Sequence, residues 1–127
     1  MVTVSESEWP KELRLKEGGR LLNVEFGSGQ IFELTAEYLR VMSPSAEVRG
    51  HYEHERKTVG GKRDITIVGI EPVGTYAVKL VFTDTHSTGI YSWNYLYELG
   101  AGFAEKWAAY LAELEQKGLR RDSPGQA

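Results

Sequence analysis

Three histidines and one aspartate are the side chains whose types and spacing would hold a metal ion. His51 and His54 stand three apart, so one helical turn would place both on the same face. Asp84 and His86 would approach from a second segment. Imidazoles with one carboxylate suit zinc, iron or nickel. A plainer reading of the same residues leaves His51 and His54 solvated in a polar loop and makes His86 a turn residue that hydrogen-bonds locally.

Two further groups would bind rather than catalyse. Around the histidine pair, Arg49, Arg56, Lys57, Lys62 and Arg63 outnumber Glu53, Glu55 and Asp64. Such a stretch would meet an acidic partner or a phosphate, or would simply be a solvated loop. Gly60-Gly61-Lys62 is not a phosphate loop, because the upstream glycine spacing and the Ser or Thr after the lysine are missing. The second group is aromatic: Tyr91, Trp93, Tyr95 and Tyr97. Alternate members of that run cannot all be buried, and an exposed aromatic cluster commonly marks an interaction site. The bland alternative puts Tyr91, Trp93 and Leu96 in the core, with Tyr95 and Tyr97 along its edge. The candidates for partner contact are therefore Arg49, Arg56, Lys57, Tyr91, Trp93 and Tyr95. No Ser–His–Asp arrangement with supporting motifs accompanies them, so an enzyme reading has no specific support.

Composition narrows the field. The 127 residues include no cysteine, which excludes disulfides, thiolate zinc, cluster ligation by this chain's own thiols and a cysteine nucleophile. The net charge of -3 argues against a dedicated nucleic-acid binder. No apolar run approaches the ~20 residues of a membrane span, and residues 1–9 lack a basic region followed by an apolar stretch. A cytoplasmic protein is expected.

The elements that must position these groups follow from pattern. Residues 1–10 read as a flexible leader. Alternation over 12–16, 22–26 and 30–34, with glycine turns between, predicts an antiparallel meander. Thr35 caps a short helix that Pro44 ends. Residues 51–63 read as an exposed loop. Strands are expected over 65–70, 76–82 and 88–91. Ser92 caps a helix that stops at Gly100, and a last helix carries Phe103, Trp107, Tyr110, Leu111 and Leu114 on one face until Gly118. The expected class is α+β: small antiparallel sheets with short helices and a C-terminal helix laying its Phe103/Trp107/Leu111 face on the sheet. One domain spans 11–117, followed by a disordered tail, 118–127.

Two segments carry a family resemblance. One is Ala36-Glu37-Tyr38-Leu39-Arg40-Val41-Met42-Ser43-Pro44-Ser45-Ala46-Glu47-Val48-Arg49-Gly50-His51. The other runs from Lys62-Arg63-Asp64 through Ile70-Glu71-Pro72-Val73-Gly74 and His86-Ser87-x-Gly89-Ile90-Tyr91-Ser92-Trp93 to Glu98-Leu99-Gly100. Across residues 10–115 the chain resembles the DUF971 family, related to the N-terminal domain of γ-butyrobetaine and trimethyllysine hydroxylases. The resemblance implies a zinc position formed by three cysteines and a histidine. Here those positions hold Ser43, Ser45, Val48 and His86. One histidine with two hydroxyls is a poor zinc set, so zinc or iron would need other ligands. The hydroxylases' iron and 2-oxoglutarate residues belong to a separate domain, so oxygenase activity is not implied. Similar domains fused to iron–sulfur P-loop ATPases imply an accessory role in cluster metabolism.

The leading expectation is a non-catalytic binding or adaptor domain whose partner is another protein, accessory to iron–sulfur or metal metabolism. A histidine-based metal protein using His51, His54, Asp84 and His86 is one alternative. A small-molecule enzyme or sensor walled by Tyr91 and Trp93 is another. Oligomeric state is open.

Overall fold

The computed structural model describes residues 9–44, 60–84 and 89–122. His51, His54 and His86, the basic residues Arg49, Arg56 and Lys57, and the positions Ser45 and Val48 lie outside the described residues.

Two three-stranded antiparallel meanders form the frame. The first contains β1 (Pro10–Lys16), β2 (Leu21–Phe26) and β3 (Ile31–Thr35), with a single 3-10 turn between β1 and β2. Its register sets Leu15 opposite Leu22, Leu13 opposite Val24, Val24 opposite Phe32 and Leu22 opposite Leu34. The period of two therefore sends one apolar row to one face. The second meander contains β4 (Ile67–Val73), β5 (Ala77–Phe82) and β6 (Ile90–Ser92). There Val78, Leu80 and Phe82 face inward, with Val78 opposite Tyr91. Apolar faces of both sheets share one core cluster.

Three helices join it. Helix α1 (Ala36–Val41) begins where the Thr35 hydroxyl accepts the Tyr38 amide at 3.1 Å. Helix α2 (Trp93–Ala101) begins the same way at Ser92, which accepts the Tyr95 amide at 3.2 Å. Both caps match the sequence reading because they are local interactions. Helix α3 (Phe103–Gln116) closes at Gly118, where the Leu119 amide donates to Leu114 O. No helix among the described residues is long and apolar enough to cross a membrane.

The α+β class stands, and the structure differs from the sequence reading in three details. Helix α2 does not stop at Gly100 but runs one residue further. Gly100 instead lies against Phe32, whose ring fills the space a Cβ would need. The buried face of α3 is Tyr110 and Leu114, with Trp107 half-buried, while Leu111 is 39% exposed. Phe103 and Trp107 pack edge-on against Tyr38 of α1, at 4.9 and 6.1 Å, and this turns the helix away from Leu111. Finally, the chain after Gly118 runs beside residues 60–63 through Asp122. Gly61 and Arg63 amides donate to Arg120 O and Arg121 O at 2.8 and 2.9 Å. Residues 60–63 form no helix or strand, as a loop should, but the segment expected as a tail from 118 accepts their backbone hydrogen bonds at Arg120 and Arg121.

The Gly100 contact yields a prediction in which packing opposes propensity. Intrinsic propensity alone would have Gly100→Ala stabilise the helix by about 1 kcal/mol. Overlap with Phe32 instead predicts a loss of about 1–3 kcal/mol, read from urea unfolding.

Candidate functional site

Helix α1 has only six residues, too few to hold itself together in water. All six are buried, Glu37 and Arg40 among them at 5% and 3% exposure. A helix of this length also leaves its last carbonyls without helical partners. Tyr38 O and Arg40 O take backbone amides from Met42 and Ser43. Leu39 O instead accepts the Tyr91 hydroxyl at 2.5 Å, and Met42 O accepts the Tyr95 hydroxyl at 2.5 Å. Tyr38 in turn donates its hydroxyl to Leu99 O at 2.7 Å. Three tyrosines thus fasten α1 to β6 and α2.

The two buried charges recruit more distant segments. The Arg40 Nε donates to Asp84 Oδ2 at 2.9 Å, and Lys62 Nζ reaches the same oxygen at 2.7 Å. Glu37 receives both Nε and Nη2 of Arg121 at 2.9 and 2.6 Å. That guanidinium also lies over the Trp107 ring, 5.2 Å from its centroid. The Glu37 hydrogen bonds push the Arg121 ionisation up.

Ser43 is completely buried and hydrogen-bonds the Tyr91 side chain. Gly89 sits so close to Ser43 and Pro44 that a Cβ there would overlap the serine hydroxyl. Burial pushes the Tyr91 hydroxyl well above its ordinary ionisation range, with the Ser43 hydrogen bond acting the other way. Burial, followed by the nearby Glu37 charge, pushes Tyr110 up to about 12.

Of the residues singled out from sequence for metal binding, Asp84 alone is described. Its carboxylate faces two cations, and a metal ion would compete with both. Among the described residues no three potential ligands converge. Ser43, the one described position of the hydroxylase-like zinc set, offers a neutral hydroxyl bonded to Tyr91, which does not fit a zinc ligand.

The aromatic run divides. Tyr91 is a core residue with no exposure. Trp93 is partly buried and donates Nε1 to Thr75 O at 2.9 Å. Tyr95 and Tyr97 border an open depression of about 580 Å³, together with Ser92, Asn94 and Glu98. Tyr97 is braced edge-on by Phe26 and Phe32 at 5.3 and 5.6 Å, and its hydroxyl donates to Gln30. The depression thus has a rigid aromatic side and a polar rim. Sequence reading missed Asn94 and Glu98, whose only signal was their place on the outer side of the Ser92-capped helix.

Residues 13–97 match the family described as gamma-butyrobetaine hydroxylase-like, N-terminal. A solution NMR structure with 44% identity covers 97% of this chain and 92% of its own, with a TM-score of 0.80. Another, 41% identical, covers 94% of this chain and 93% of its own, with a TM-score of 0.78. A crystal structure of a DUF971-family protein of unknown function from Acidithiobacillus ferrooxidans is 37% identical. It covers 77% of this chain and 99% of its own, with a TM-score of 0.64. No curated protein matches the chain.

Two predictions test the α1 contacts. Asp84→Ala strips the buried Arg40 of a partly buried partner and costs about 3 kcal/mol. Lys62→Met removes a more exposed cation from the same carboxylate and costs less than about 1 kcal/mol. Chemical unfolding of the two variants checks that order, and equal costs would contradict it. The second concerns alkali. Tyr91 and Tyr110 ionise at higher pH folded than unfolded. Their contribution to stability is therefore whole below the unfolded value of about 10 and is lost as pH rises through the folded values. The unfolding midpoint falls above pH 10, and Tyr110→Phe makes that fall shallower.

Proposed function

The chain belongs to the gamma-butyrobetaine hydroxylase-like N-terminal family, and from that premise we propose that it is a non-catalytic, cytoplasmic adaptor domain that docks another protein. The observation that carries this reading is a division of labour among the described residues. The groups with chemical potential, Ser43, Asp84, Tyr91 and Arg40, are spent on fastening α1. The braced aromatic depression beside Tyr95 and Tyr97 faces outward. It is wide and open, shaped for a protruding side chain of a macromolecule more than for enclosing a metabolite, which needs most of its surface buried. Aromatic residues are enriched where partners bind strongly. The family resemblance to domains fused with iron–sulfur ATPases supports a partner in iron–sulfur or metal metabolism.

The reading is tested by placing a photo-crosslinking residue at Asn94 and, separately, at Glu12 on the exposed side of β1. Expressed in the native host, the Asn94 protein forms one discrete adduct that the Glu12 protein does not. Tyr97→Ala in the same background reduces that adduct at least fivefold. Identical adducts from both positions, or none from Asn94, contradict the proposal.

A further inference from the structure

We propose that a second cleft, between the turn after β1, the start of α1 and the C-terminal segment, binds the phosphate group of a small phosphorylated molecule through Arg20, Arg63 and Arg121. This goes beyond the docking reading and does not depend on it. The cleft is about 370 Å³, the size of a small-ligand site, and all three arginines line it. They come from three remote parts of the chain. The backbone pairing of Arg63 N–H with Arg121 O places two of them side by side. Gathering like charges at one concave wall is unfavourable unless anions compensate them.

Protein carboxylates supply that compensation in the free chain, each in a different way. Arg121 is anchored by the buried Glu37, which uses its Nε and Nη2. Arg63 offers Nε to Asp122 at 2.6 Å. A guanidinium has five N–H donors, so each of these two retains further donors after its ion pair. Arg20 is held least: its nearest carboxylate, Asp64, is 3.9 Å away, and both side chains are more than half exposed. Such a pair contributes at most about 1 kcal/mol, so exchanging Asp64 for a ligand oxyanion costs little. Arginine forks match the oxygens of phosphate in geometry, and a phosphate monoester carries about -1.5 to -2 at neutral pH. Two adjacent arginines with a movable third suit a tetrahedral dianion better than a single carboxylate. Glu17, Glu37 and Asp64 also line the cleft and oppose such a ligand; Glu37 and Asp64 face Arg121 and Arg20.

NMR titration of the intact chain with inorganic phosphate and with glycerol phosphate tests this, against sodium chloride and sodium acetate at equal ionic strength. The readouts are the arginine Nε–Hε signals and the amides of residues 20, 63–65 and 121. The proposal expects saturable shifts confined to these signals with both phosphates. Arg63→Gln and, separately, the more exposed Arg20→Gln weaken binding at least fivefold, while Glu17→Gln tightens it at least twofold. Shifts that stay linear, or that chloride or acetate reproduces, overturn the proposal. So does unchanged phosphate affinity in both arginine variants.

Discussion

Glu37 and Arg40 sit on one short helix with almost no solvent exposure. A charge withdrawn that far from water costs several kcal/mol unless an opposite charge and good hydrogen bonds accompany it. That requirement governs the placement of the rest of the chain. Asp84 and Lys62 come to Arg40, and Arg121 comes to Glu37. Residues 60–63 and 119–122 then lie next to one another and complete each other's backbone hydrogen bonds. Removing the helix would remove the reason for all three segments to be where they are.

The tyrosines extend the same logic to neutral groups. Carbonyls at the end of α1 need donors, and Tyr91 and Tyr95 reach them from β6 and α2. Tyr38 works in the opposite direction, from α1 to Leu99. The first meander leads directly into α1 through the Thr35 cap, and the second holds α1 through Tyr91. A six-residue helix therefore couples two sheets that, among the described residues, share no strand pairing. Ser43, the one described residue of the hydroxylase-like zinc set, is buried at this junction and hydrogen-bonds Tyr91.

What the sequence made legible was local. The caps at Thr35 and Ser92, the alternation of Leu22, Val24 and Phe26, and the stop at Gly118 each depend on a few neighbouring residues. The motif segments over residues 36–51 and 62–100 made the family legible as well. What escaped was tertiary. Gly100 looks like a helix stop until Phe32 is placed against it. Leu111 and Leu114 both satisfy the helical period, and only Tyr38 packing on Phe103 and Trp107 decides which turns inward. Arg121 meets Glu37 across 84 positions, in a stretch whose composition reads as a tail. Tyr91 carried both a core and a surface reading, and burial assigns it to the core.

The central claim is that α1 makes the two sheets one cooperative unit. Native-state hydrogen exchange measures this directly through the slowest amides of Leu22–Phe26 and of Val78–Leu80. If α1 couples the sheets, both sets converge on a single opening free energy, equal to that of global unfolding. If one sheet opens at an energy about 2 kcal/mol or more below the other, the sheets unfold separately and the account is contradicted.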